Sequence, residues 1–181
     1  MKLRVIAGKL GGRLFEAPRT HRTHPMSERM RGALFNALGD INGLSVLDCF
    51  GGSGALSFES LSRGASRSVC IEIDRTAHKT IVENKSRLGI GDELKVIRAN
   101  VSSWSDNNPD AVFDLVLCNP PFDALKPALI EKLSRHVISG GILVISWPND
   151  TDTPLFDGFE LKSVKEKEYG SAQLVFYKKT G

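Results

Sequence analysis

Two short stretches hold residues whose types and spacing could do chemistry together: Val46-Leu47-Asp48-Cys49-Phe50-Gly51-Gly52-Ser53-Gly54 and, 71 residues after Asp48, Asn119-Pro120-Pro121-Phe122. In the first, Gly51, Gly52, Ser53 and Gly54 would let the backbone approach a ligand, and a helix starting just beyond would offer free N–H groups. Asp48 would repel a pyrophosphate but attract a cation, such as the amino end of S-adenosylmethionine. A dinucleotide site also needs G-x-G-x-x-G, and the register Gly52-Ser53-Gly54-Ala55-Leu56-Ser57 lacks the third glycine. Glu72, 18 residues beyond Gly54 and followed by Ile73, could accept from both hydroxyls of a ribose. The Asn100 amide oxygen and the Val101 N–H are placed to read an adenine N6 and N1, although an exposed turn asparagine accounts for Asn100 equally well.

The second stretch suits an amine acceptor. An aryl amine is a poor nucleophile because its lone pair is delocalised into the ring. If Asn119 Oδ1 and the Pro120 carbonyl accept its two hydrogens, the lone pair can be aimed at a methyl donor, and orientation alone removes several kcal/mol of barrier. The prolines pre-place these acceptors. Phe122 would stack on the acceptor base, a contact of roughly 1–3 kcal/mol.

The elements that must position these residues follow from hydrophobic pattern. Val46–Phe50, Ser68–Ile73, Leu94–Ile97, Phe113–Leu117 and Ile142–Ser146 read as strands, with helices at Gly54–Arg63, Thr76–Leu88 and Ala124–His136 between them. This alternation predicts a parallel sheet with helices on both faces. Phe159–Val164 and Ala172–Tyr177 predict an antiparallel pair at its end. Ahead of the core, Leu3–Ala7 and Arg13–Glu16 flank Gly11-Gly12 as a small hairpin, and Ser27 caps a helix from Glu28 to Leu38 that stops at Gly39. Asp74 reads as the cap of the Thr76 helix. The expected fold is thus a Rossmann-like α/β core with a mostly parallel seven-stranded sheet, over residues 26–181. A basic hairpin extension over 1–25 completes a single domain of 181 residues.

Charge is distributed unevenly. Residues 1–31 hold eight basic and two acidic side chains, and the remaining 150 hold 16 and 19. A basic head on a mildly acidic body suggests a polyanion contacted through the N-terminal segment. Cys49, Cys70 and Cys118 are isolated within apolar runs, which predicts buried thiols and no metal site. No stretch approaches the roughly 18 apolar residues of a membrane span, and the N-terminus lacks a signal-peptide pattern, so a cytoplasmic protein is expected.

Beyond these motifs, Leu3-Arg4-Val5-Ile6-Ala7-Gly8, Gly12-Arg13, Pro25-Met26-Ser27-Glu28-Arg29-Met30-Arg31, Ala33-Leu34-Phe35-Asn36 and Glu59-Ser60-Leu61-Ser62-Arg63-Gly64-Ala65 resemble the RsmD family of 16S ribosomal RNA guanine-N2 methyltransferases. The resemblance runs nearly end to end. It implies transfer of a methyl group from S-adenosylmethionine to one guanine N2 in 16S RNA. Naked RNA and an assembling small subunit are both open as the substrate, and a monomer is the default expectation. By position, Asp48, Phe50, Gly52, Ser53 and Gly54 would line the methionine end, Glu72 would hold the ribose, and Asn119, Pro120 and Phe122 the base. The helix with Arg29 and Arg31 would close over the site, and the hairpin would grip RNA, making Arg4, Lys9, Arg13, Arg22, Arg29 and Arg31 candidate RNA contacts. The chain departs from the family pattern at His24, usually arginine, at Gly32, usually glutamate, and at Asn100 and Asn119, where aspartate is common. The residues leave open adenine N6 or a protein glutamine as acceptor, and a noncatalytic RNA-binding or assembly protein that retains the fold.

Overall fold

The computed structural model describes residues 1–21, 25–121, 123, 126–169 and 172–181. Strands β1 (Lys2–Arg4) and β2 (Leu14–Glu16) form an antiparallel hairpin ahead of α1 (Glu28–Leu38). The core then alternates β3 (Ser45–Asp48), α2 (Ala55–Ser62), β4 (Arg67–Glu72), α3 (Arg75–Arg87), β5 (Leu94–Arg98), α4 (Val101–Asn107), β6 (Phe113–Cys118) and α5 (Pro127–Ser134). It ends with β7 (Val137–Pro148), β8 (Phe159–Tyr169) and β9 (Ala172–Lys179). The seven-stranded sheet runs β5-β4-β3-β6-β7-β9-β8, parallel from β5 through β7 and antiparallel at β9 and β8. This is the Rossmann-like, mostly parallel seven-stranded architecture that the strand pattern predicts.

Strands covered on both faces must be apolar throughout, and Val46, Leu47, Val116 and Leu117 are fully buried. Alternation sends their side chains into two cores. Val46, Leu117 and Val144 meet the hairpin, α1 and α2 through Phe15, Leu34, Phe35 and Phe58. Leu47, Val116 and Ile145 meet α4 and α5 through Trp104, Ile130 and Leu133.

Three boundaries differ from the expectations, each for a local reason. Helix α4 has no counterpart in the sequence reading because Val101-Ser-Ser-Trp-Ser-Asp-Asn is rich in poor helix formers. Its existence depends on burying Val101, Trp104 and Ser105 on one face. Helix α5 begins at Pro127 rather than Ala124: proline suits the first helical position, and Lys126 before it is extended (φ −124°, ψ 125°). Strand β7 starts earlier than Ile142, because a register shift beside β6 absorbs the Ser139-Gly140-Gly141 stretch.

The hairpin is bound to the core by side-chain anchors. Glu59 of α2 accepts from the Ile6 and Ala7 N–H groups at 2.9 and 3.1 Å, while Ser62 Oγ donates to Ala7 O and accepts from Leu10 N. The buried Asn84 of α3 pairs with both the N–H and the carbonyl of Glu16. Gly8 has φ +82°, and a Cβ there would lie 1.9 Å from Ser62 O, so only glycine permits this docking. Among the described residues no helix is long and apolar enough to cross a membrane.

Candidate functional site

Chain order reverses between β3 and β6, which diverge toward opposite edges of the sheet; ligands of open α/β sheets bind outside the strand ends at such a point. A cleft of about 1060 Å³ opens there, at the carboxyl ends of β3, β4, β5, β6 and β7. Phe50, Gly51, Gly52, Ser53, Glu72, Ile73, Asn100, Val101, Asn119 and Pro120 all line it, so the structure brings together most of the residues selected from the sequence.

The glycine turn is held down by its own backbone. Cys49 N donates to Leu117 O and Gly51 N to Ile71 O, at 3.0 and 2.7 Å. A Cβ on Gly51 would lie 2.6 Å from Cys70 Sγ. Gly52 and Gly54 adopt φ of 56° and 81°, which glycine alone reaches without strain. Glu72 completes the turn: its Oε2 accepts from Gly52 N at 2.6 Å and its Oε1 from Asp74 N at 2.7 Å. Each oxygen keeps a further lone pair for a diol. Burial raises the Glu72 carboxyl pKa, opposed by the N–H donors of Asp74 and Gly52.

Three expected ligand contacts need correction. Asp48 is fully buried beneath the cleft rather than on its wall. Its Oδ2 accepts from Ser57 Oγ at 2.8 Å and faces Cys70 Sγ at 3.8 Å, whereas Oδ1 has no hydrogen-bond partner among the described residues. Burial is the largest influence and pushes this carboxyl up to about 7, against the Ser57 hydrogen bond. Asp48 therefore supports the glycine turn from below instead of meeting the ligand's amino end. Gly54 is also off the wall, because it occupies the cap of α2. Asn100 lines the cleft, but its Oδ1 caps α4 by accepting from Ser103 N at 3.1 Å, so the helix holds the oxygen assigned to adenine. Asp74 caps α3 as expected.

The proposed RNA contacts divide similarly. Arg31 is fully buried on the inner face of α1, 3.6 Å from Glu59 and donating to the carbonyls of Met26 and Arg4. Its guanidinium is thus engaged within the protein in this structure rather than presented at the surface, which corrects its placement as a surface contact. Arg13 donates to the Arg87 and Leu88 carbonyls, each at 2.9 Å, and so ties the hairpin to the end of α3. Arg4 is exposed but ion-paired with Glu28 at 2.8 Å. Lys9 and Arg29 are exposed. Phe122, Arg22 and His24 lie outside the described residues.

The structure adds wall residues that motif reading missed. Met26, just before the Ser27 cap, and Met30 in the first turn of α1, with Ser146 near the end of β7 and Ala172 at the start of β9, also line the cleft. Met30 belongs to the buried stripe of α1, a periodicity readable in the sequence, whereas Met26 lies before the helix. Ser146 and Ala172 give none, because only strand pairing brings β7 and β9 to the carboxyl end of β6.

The family model described as Conserved hypothetical protein 95 matches residues 3–178. Ribosomal RNA small subunit methyltransferase D of Escherichia coli K12 is 34% identical over 122 residues, covering 67% of this chain and 61% of that one. The chain thus spans about three fifths of that relative's length. The enzyme of the same name from Haemophilus influenzae is 30% identical over 183 residues, covering 97% and 93%. Among solved structures, a methyltransferase from Escherichia coli superposes with a TM-score of 0.88 at 26% identity, covering 99% of both chains. A methylase from Haemophilus influenzae gives 0.82 at 26%, covering 100% of both.

Proposed function

Because the chain belongs to the Conserved hypothetical protein 95 family, the RsmD family, we propose that it transfers a methyl group from S-adenosylmethionine to the exocyclic N2 of a guanine in small-subunit ribosomal RNA. The observation that carries this reading is the convergence of the glycine turn and Asn119-Pro120 on one cleft at the switch point of the sheet. The donor set suits the cofactor. Glycines leave room for a closely bound chain, Glu72 has free lone pairs for a ribose, and the Asp48 carboxyl lies buried under the turn.

S-adenosylmethionine, when bound, supplies an electrophilic methyl group on a sulfonium. The chain's residues hold and orient. Phe50 to Ser53 would embrace the methionine end, Glu72 the ribose, Ile73 the adenine face and the Val101 N–H the adenine edge. Asn119 Oδ1 and the Pro120 carbonyl would accept the two amine hydrogens, turning the nitrogen lone pair toward the methyl group. Asparagine is no base at neutral pH, so the proton leaves the nitrogen with or after transfer. Phe122 would stack on the base. Outside the cleft, Arg4, Lys9 and Arg29 remain as phosphate contacts, with Arg22, whereas Arg13 orders the surface that presents them. The chain would work as a cytoplasmic monomer on RNA already packed into an assembling particle.

The test is incubation with tritiated S-adenosylmethionine and unmodified small-subunit RNA, free or reconstituted with its proteins, followed by nucleoside analysis. Label in N2-methylguanosine is expected. Label confined to DNA, to N6-methyladenosine or to a protein glutamine overturns the acceptor.

A further inference from the structure

Ser146 sits at the end of β7 beside the proposed reaction centre. Cys118 pairs with Ile145 in the parallel β6–β7 ladder, so the next position sets Ser146 against Asn119, about 5 Å away across the strands. Parity agrees: Leu117 and Val144 point into the hairpin-side core and Cys118 and Ile145 into the opposite one, which turns Asn119 and Ser146 to the same side. Met26, Met30 and Ala172 line the same cleft.

The hydroxyl of Ser146 differs from those of the other buried serines. Ser57, Ser60, Ser62, Ser68 and Ser134 donate to protein oxygens, Ser105 bonds His136, and Ser53 accepts from Ala55 N. Ser146 is only 4% exposed, yet its hydroxyl bonds to none of the described residues. The fully buried side-chain atoms without a partner among the described residues are Arg31 Nε and Asp48 Oδ1, so the Ser146 hydroxyl keeps access to the cleft that the residue lines. A hydroxyl so placed finds a partner when a ligand enters.

We propose that Ser146 binds the acceptor ring beside the amine that Asn119 holds. This rests on the amine-transfer reading above. With guanine, the edge next to N2 carries N1–H as donor and O6 as acceptor, and a hydroxyl one strand away from Asn119 can accept from the first or donate to the second. Ser146 thereby sets the in-plane rotation of the base, which Asn119 and a stacking ring leave free. It is a specificity contact, and it has no part in cofactor binding.

Ser146→Thr and Ser146→Val are nearly isosteric and suit a β-strand, so their difference isolates the hydroxyl. Turnover is measured on reconstituted small-subunit particles made with unmodified RNA. Particle binding in the presence of S-adenosylhomocysteine, S-adenosylhomocysteine affinity and thermal midpoint are measured alongside. Ser146→Thr should stay within about 3-fold of wild type in kcat/KM and Ser146→Val should fall about 10-fold, the size of one hydrogen bond. Particle affinity should follow the same order, with S-adenosylhomocysteine affinity equal in all three. Equal values for Thr and Val overturn the proposal, as does a matching loss of S-adenosylhomocysteine affinity. If the product nucleoside is not N2-methylguanosine, the guanine reading falls, and the Thr–Val contrast still decides Ser146 on the true acceptor. If nothing is labelled, the particle-binding order decides it.

Discussion

Glu59 and Asp48 are both fully buried carboxylates within the hairpin-side half of the core, and they are satisfied very differently. Glu59 accepts from the Ile6 and Ala7 N–H groups and from Arg63 at 2.8 Å, with the Arg31 guanidinium nearby. Asp48 has the Ser57 hydroxyl and a distant thiol on one oxygen and no partner among the described residues on the other. A buried acid surrounded by donors fixes its neighbours in place, which is what docking a hairpin onto α2 requires. An acid left short of donors pays for burial in its pKa, and here that acid lies under the turn where the ligand binds. The two acids are thus distinguished by how completely their own oxygens are paired, although the Arg31 guanidinium beside Glu59 also keeps one buried nitrogen, Nε, without a hydrogen bond among the described residues.

Breaking the saturated acid should have the largest effect. Glu59→Ala strands two guanidinium groups and two N–H donors, and an equilibrium urea unfolding curve should show a loss of about 3–5 kcal/mol. Hydrogen exchange should show the 5–10 segment opening first. A loss below about 1 kcal/mol would mean that Ser62 and Asn84 hold the hairpin alone. Next in size is Asn119→Ala in the cleft. There kcat should fall about 10²–10³-fold, as for loss of one preorganised partner of the reacting atoms. Calorimetric affinity for S-adenosylhomocysteine should be nearly unchanged, and parallel loss of both would make Asn119 a structural residue.

The under-satisfied acid gives a pH signature. Its folded pKa of about 7 lies above the unfolded value near 3.8, so its stabilising contribution is fully present below about pH 4 and is lost as pH rises through 7. Asp48→Asn should therefore flatten the fall in stability between pH 5 and pH 8, and at pH 8 should be more stable than wild type by about 2 kcal/mol. Urea midpoints at the two pH values measure this, and unchanged slopes would show that Ser57, Cys70 and the turn N–H groups keep Asp48 ionised throughout. The smallest effect is expected at the rim. Asn100→Ala should remove a helix cap for about 1 kcal/mol, and S-adenosylhomocysteine affinity should fall less than about 3-fold. A larger fall in affinity would return the Asn100 amide to the ligand.

The parts of this fold that were readable locally are those with local causes. Helix α1 runs from Glu28 to Leu38, as its Ser27 cap and Gly39 stop require, and the core strands coincide with β-branched runs. Arg31 was misassigned because charge was counted without periodicity; Met30, Arg31, Leu34 and Phe35 together form the buried stripe of α1, and that spacing was visible. Asn100 was ambiguous for a different reason. Its fate depends on α4, a helix whose own residues barely favour it and which forms only because Trp104 and Val101 find a core to enter.

By itself, the sequence determined the order of elements, the glycine turn after β3 and the Asn119-Pro120-Pro121 turn after β6, because helix caps, strand propensity and glycine conformation act over a few residues. Tertiary structure alone decided which polar groups were already spent. It gave Asn100 to a helix cap, Arg13 and Arg31 to the hairpin, and left the Ser146 hydroxyl on the cleft wall with no partner among the described residues, because pairing across strands joins residues whose separation in sequence carries no trace of their contact.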